Sequence, residues 1–348
     1  MIITLTANPS VDRTVDLAGP LERGAVLRAT GVGSQAGGKG VNISRAATQA
    51  GVPTVAVLPA AEQDPFLTGL RGDGIACRAV PAGPVRVNLT LTEPDGTTTK
   101  VNTPGGPVDS HLLGALADAV EETLETTRTR PGLDAGPSWV VLAGSLPPGA
   151  PTDWYVDLVP GLRDRGAYVA IDTSDAPLAA LGRAIADPAR AAAVAPDLLK
   201  PNGEELAALV RSLGGTATGE ELEADAYAAA AAATRLLEHG VGVVLATLGA
   251  RGAVLVTTDA SGRTRSWHAT PPPTTVLSTV GAGDCSLFGY LRAALEGGTP
   301  PERLASAVAW GAAAAGLPGT TIPAPEQVDI DLVTVRELEL ATTPGGTA

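Results

Sequence analysis

Asp284 stands in "STVGAGDCSLFGYL" (278–291), with Gly281, Ala282 and Gly283 before it and an apolar helical pattern after it. Small residues at a helix start let a ligand approach backbone N–H groups that have no partner inside the helix. The helix dipole adds positive potential at the same place, so the position suits an anion. A first-turn carboxylate beside it has two readings of equal weight on the residues alone. It caps the helix, or it is a general base that takes a proton from an alcohol while the N–H groups neutralise a transferring phosphoryl group. "KPNGEEL" (200–206) sets Asn202 and Glu205 three apart at another helix start. That spacing makes a capping box, or hard oxygen ligands for Mg²⁺ near phosphates.

A second phosphate signal is "GSQAGGKGVN" (33–42), where Gly33, Gly38 and Lys39 occupy the first seven positions of a P-loop. The eighth should carry the hydroxyl that binds Mg²⁺, and here it is Gly40. The loop is either a nucleotide loop with an altered end or the holder of a different phosphate, and no convincing acidic Walker B strand accompanies it. The chain has only three lysines, Lys39, Lys100 and Lys200, within 24 basic residues. Arginine therefore supplies the generic surface charge, and two of the lysines fall in these motifs. Other stretches carry weaker signals. "TLGARGA" (247–253) is a two-glycine turn, and "AGSLPPG" (143–149) is a rigid loop around Ser145. Asp12 could accept hydrogen bonds from a pair of sugar hydroxyls or form a turn. Arg86 could be a phosphate ligand or a surface cation.

Strands at 2–7, 54–60, 139–144, 167–173 and 241–249 alternate with helical patterns at 41–51, 111–125, 155–166, 203–213, 220–238, 282–295 and 301–316. That alternation predicts an α/β fold with a parallel, doubly wound sheet. Two blocks depart from it. Residues 13–33 and 85–102 alternate apolar and polar, the second around the turn "EPDGT", with no helix between strands. They predict a small, half-solvated sheet inserted as a lid into one domain spanning 1–340. A strand pair at 253–269 is also expected, and the tail 341–348 is expected to be disordered. In open parallel sheets ligands bind beyond the carboxyl ends of the strands. Asp12, Ser145, Asn202 and Thr247 each follow a strand in this way.

Composition limits the partners. With 348 residues and 44% apolar content the chain can bury a large core. A net charge of −13 speaks against nucleic acid or an anionic membrane surface, and an anionic substrate would need local cations working against that field. Cys77 and Cys285 form no metal or disulfide pattern, and His111, His239 and His268 are scattered. The N-terminus lacks a signal-peptide pattern and no apolar run looks membrane-spanning, so a cytoplasmic location is expected.

Taken in order, these segments resemble the ribokinase-like PfkB carbohydrate kinase family over almost the whole chain. "AGGKGVN" and "STVGAGD" are similar to its two signatures and "KPNGEE" to its N-x-x-E element. The resemblance implies a three-layer α/β/α sandwich with a β-sheet lid, and ATP-dependent phosphorylation of a sugar hydroxyl with Mg²⁺. By the same resemblance Asp284 is the base, and Gly281, Ala282 and Gly283 are the anion hole. Asn202 and Glu205 position Mg²⁺ and phosphate. Lys200, Thr247, Gly249 and Gly252 border the nucleotide, and Asp12, Gly38 and Asn42 meet the sugar. Lys39, Arg86 and Ser145, with Arg28, are the implied partners of a phosphate already on the substrate. Within the family "ANPSVDRTVDL", "TEPDGTTTKVN" and "LAGSLPPG" resemble the 1-phosphofructokinase branch, which implies fructose 1-phosphate as acceptor. Tagatose-6-phosphate kinases share many of these segments. Two positions depart from the family pattern: Ala143 and Cys285 stand where Ser is common. An exposed lid sheet could also pair with a second copy, so a homodimer is an expectation.

Overall fold

The computed structural model describes residues 1–129 and 137–340, so the tail 341–348 lies outside the described residues. In chain order the strands are β1 (Ile2–Leu5), β2 (Ser10–Leu17), β3 (Ala29–Gly37), β4 (Thr54–Ala60), β5 (Cys77–Pro81), β6 (Arg86–Thr92) and β7 (Thr98–Val101). They continue as β8 (Trp139–Ala143), β9 (Tyr168–Asp172), β10 (Leu198–Leu199), β11 (Val243–Thr247), β12 (Ala253–Thr258), β13 (Thr264–Thr270) and β14 (Thr334–Glu337). The helices are α1 (Lys39–Gln49), α2 (Pro65–Gly72), α3 (Ser110–Thr129), α4 (Trp154–Asp164), α5 (Asp175–Ala186) and α6 (Ala191–Val194). After them come α7 (Gly203–Ser212), α8 (Gly219–Ala224), α9 (Ala226–Glu238), α10 (Ala282–Leu295) and α11 (Pro300–Ala315).

Ten strands form one sheet in the order β14-β13-β12-β11-β10-β9-β8-β1-β4-β5. From β5 to β11 every pairing is parallel, and β12, β13 and β14 extend that edge antiparallel. The period-2 geometry of a strand divides the core between the two faces. Val140 and Leu142 pack with α3, α4, α5, α7 and α9, whereas Trp139, Val141 and Ala143 pack with α1, α10 and α11. This is the doubly wound sheet that the alternation predicted and the three-layer sandwich that the resemblance implied. The alanine-rich run read as one helix is two, because Asp225 accepts from the N–H of Tyr227 (2.8 Å) and starts α9 afresh. No described helix is long and apolar enough to cross a membrane.

The remaining four strands make the second sheet, in the order β3-β2-β6-β7. Residues 25–28, expected as strand, precede β3, which runs on to Gly37. Gly38 alone separates this lid strand from α1. Its φ of 116° and a would-be Cβ 2.8 Å from Thr6 Cγ2 both require glycine. Gly40 is buried where α1 crosses β1, and a Cβ there would lie 2.4 Å from Thr6 Oγ1. The missing P-loop hydroxyl thus has a packing cause: this position has no room for a side chain. Gly40→Ser is expected to lose about 1–3 kcal/mol of stability without tightening nucleotide binding. Chemical denaturation and a nucleotide titration check both halves.

Candidate active site

The carboxyl ends of the parallel strands, the lid and the N-terminus of α10 enclose a cleft of about 1670 Å³. All of the candidate residues read from the sequence line it except Arg28. Arg28 lies in the exposed segment between β2 and β3, and the side chain stays outside the cleft.

At the centre, Gly281 takes a left-handed conformation (φ 80°) as the N-cap of α10, which has no side-chain cap. The capping reading of Asp284 therefore fails. Its carboxylate instead accepts from Asn42 Nδ2 at 2.8 Å and is 6% exposed. Burial, then the nearby charge of Asp172, push its pKa up to about 6, while Lys39, Asn42 and Lys200 pull the other way. A carboxylate poised there is a competent general base near neutral pH.

Asp172, which no motif marked, ends β9 with its side chain fully buried. It sits between two lysines, Lys39 Nζ at 2.7 Å and Lys200 Nζ at 3.3 Å. Burial opposes its charge, but Lys200 and Lys39 overcome that and hold its carboxyl below the usual range. Burial likewise opposes the charge of Lys39. The fields of Asp172, Asp284 and Glu205 outweigh it and raise the ammonium pKa. Lys39 therefore stands among the carboxylates of the reaction centre, one-third exposed to the cleft. A Cβ on Gly283 would lie 3.3 Å from Lys200 Nζ, so Lys200 borders the start of α10 directly.

The capping reading of Asn202 and Glu205 holds. Asn202 accepts from the N–H of Glu205 (2.8 Å), and Glu205 Oε2 accepts from that of Asn202 (2.9 Å). Glu205 still lines the cleft, which leaves its other oxygen for a second task. Among the described residues no group of three or more His, Cys, Asp or Glu could hold a metal ion. These residues fit Mg²⁺ held chiefly by phosphates and water with one or two carboxylates, and not a site built by the protein alone.

On the lid side, Asp12 Oδ1 accepts from Ser10 Oγ (2.8 Å) and Asn88 Nδ2 (3.2 Å). Arg86 donates through Nη1 to Thr103 O (2.6 Å), but its buried Nε has no partner, nor do Asn88 Oδ1 and Thr6 Oγ1. Asn8 Nδ2 donates to Ser145 Oγ (3.3 Å) and Pro104 O (3.0 Å). Asn8 and Asn88 were not predicted. Their signal is only position, since one follows β1 and the other lies two residues beyond Arg86 on the same lid strand.

On the opposite side Thr247, Gly249 and Gly252 turn at the end of β11. Gly252 (φ 90°) lies against Ala269 O so closely that a Cβ would be 1.9 Å away. Pro271, Pro272, Ala312 and Ala315 add apolar lining to the cleft. The alanines of α11 escaped the sequence reading because their pattern is that of any buried helix.

The description "pfkB family carbohydrate kinase" matches residues 5–327. The 1-phosphofructokinase of Rhodobacter capsulatus is 37% identical over 335 residues, 94% of each chain. That of Xanthomonas campestris is 36% identical over 308 residues, 87% of each. Phosphofructokinase-2 from Escherichia coli, solved with substrates and products, superposes with a TM-score of 0.76 at 26% identity, covering 94% of this chain and 96% of that one. With that family description over residues 5–327 and these relatives over nearly the full length, this phosphotransferase belongs to the pfkB carbohydrate kinase family.

Proposed function

We propose that the chain phosphorylates the C6 hydroxyl of fructose 1-phosphate, with ATP as donor. The supporting observation is Arg86. A buried guanidinium nitrogen without a partner, beside Asn88 and Asp12, is a group waiting for an anion and the hydroxyls next to it. An unphosphorylated sugar could offer that nitrogen only a neutral hydroxyl, a weaker partner than a phosphate oxygen. Asp12 and Asn88 take ring hydroxyls, and Arg86 with Ser145 and Asn8 takes the acceptor's phosphate. Asp284 removes the proton of the attacking hydroxyl. The N–H groups at 281–283 and Lys200 receive the developing charge of the transferred group, and Lys39 lies between this centre and the acceptor. Mg²⁺, when bound near Glu205, neutralises phosphate charge. The lid excludes water from the cleft. Exposed Val32 and Val101 on lid strands support pairing of two lids in a dimer, which light scattering tests.

An ADP-release assay with fructose 1-phosphate, tagatose 6-phosphate, fructose 6-phosphate and free fructose tests the substrate. The highest kcat/KM is expected on fructose 1-phosphate, and a preference for any of the other three would overturn the proposal. Arg86→Ala is expected to raise KM for the phosphosugar about 10–150-fold, the loss of one charge-assisted contact, with kcat changed much less.

A further inference from the structure

Behind Asp284 a chain of directed hydrogen bonds runs into the body of α1. Asn42 presents its NH₂ to Asp284 Oδ2 (2.8 Å) and its Oδ1 to Arg45 Nη1 (3.1 Å), one helical turn further on. Arg45 is 3% exposed. It is fixed in turn by Ala36 O (2.5 Å), at the end of lid strand β3, and by Asp73 Oδ2 (3.2 Å). A guanidinium only donates. It therefore dictates which end of the Asn42 amide faces it, and so which end faces the base.

We propose that Arg45 is a positioning residue: by donating to the carbonyl end of the Asn42 amide, it forces the NH₂ end onto Asp284 and fixes that carboxylate for proton abstraction. The inference deepens the reading of Asp284 as base and rests on it. Without Arg45 the amide is free to rotate, and Asp284 loses a donor that favours its ionised form. The other groups facing Asp284 are Lys39 on α1, Asp172 at the end of β9, Lys200 after β10 and the Cys285 thiol on its own helix. None of them is hydrogen-bonded to Arg45, whose partners are Asn42, Ala36 and Asp73.

The test is kcat against pH for the wild type, Arg45→Lys, Asn42→Ala and the double variant. Lysine keeps the charge opposite Asp73 but cannot bridge Asn42, Ala36 and Asp73 at once. Arg45→Lys is expected to move the acid limb up by about half to one pH unit and to lower kcat about 3–10-fold. KM for either substrate should stay within about two-fold. The double variant should shift no further than Asn42→Ala, because both act through one amide. Should Arg45→Lys fail to fold, Arg45→Gln replaces it: its amide accepts as well as it donates, so it no longer dictates the orientation. Because it also removes a charge, it is read against its double variant with Asn42→Ala, where a limb shift that persists beyond that of Asn42→Ala alone belongs to the charge and overturns the role. A merely structural role would lower stability and leave the limb in place. An unmoved limb, or shifts that add in the double variant, overturns the role of Arg45 alone. Full turnover in Asp284→Asn overturns the base assignment and the role of Arg45 with it.

Discussion

Asp284→Asn is expected to lower kcat by about 10²–10⁴-fold while nucleotide binding survives. The amide keeps the shape and can still accept from Asn42, so what is removed is the capacity to take a proton. In the wild type the base must be ionised to work, so kcat should rise with pH through an apparent pKa of about 6. The same shift makes a stability prediction of known sign. A folded-state pKa raised from 3.8 to about 6 means that ionising Asp284 costs folding free energy as pH rises through that interval. Asp284→Asn should therefore match the wild type below about pH 4. Above pH 6 it should be the more stable, by on the order of 3 kcal/mol. Urea unfolding at both pH values, beside steady-state kinetics, separates this outcome from misfolding, which would lower stability and activity together. Near wild-type kcat in the variant would sink the base assignment.

What the sequence made legible is what local spacing encodes. Glycine before Asp284 and the helix start at Asn202 are read within a few residues, and both lie in the cleft. Strand and helix periodicity likewise carried the sandwich and most of the lid. Asp172 was invisible for the opposite reason. It closes an ordinary buried strand, "YVAID", and its partner Lys39 is 133 residues away. Lys39 is an implied ligand of the acceptor's phosphate by resemblance, and the fold adds the carboxylates whose fields surround it. The orphaned Nε of Arg86 and Oδ1 of Asn88 are likewise properties of burial, which no residue pattern states. Strand β14 went unread for lack of a core face, since "TVRE" is mostly exposed. The Asn42–Arg45 pair did have a local signal, a helical i, i+3 spacing. It was masked by the reading of its helix as core-facing.

The second large effect is expected at Asp172. Asp172→Asn keeps the shape of the hub but leaves two ammonium groups facing a neutral amide. Lys200 is 5% exposed, so most of its charge stays desolvated and unpaired; Lys39, one-third exposed, can recover some hydration through the cleft. Loss of one partner from a buried ion pair costs about 3–5 kcal/mol, and solvation of Lys39 puts this case at the low end. The pH window follows from the depressed carboxyl of Asp172. Its contribution is complete above the ordinary aspartate range and fades as pH falls through the lower folded value, so the deficit of the variant should shrink under acid conditions. Catalysis should change in a diagnostic direction. Asp172 raises the pKa of Asp284, and both freed lysines would hold Asp284 ionised more strongly, so the acid limb of kcat should move down in pH. Turnover at the plateau should nonetheless fall, by about 10–100-fold, because a carboxylate clamped by two lysines is a weaker base and those lysines are no longer aimed at phosphate. An upward limb would mean that Asp172 acts on Asp284 through hydrogen-bond geometry and not through charge. The downward shift here and the upward shift at Arg45 are opposite in sign for one and the same carboxylate. Measured together, they test whether the field of the hub or the donor from Asn42 sets the base.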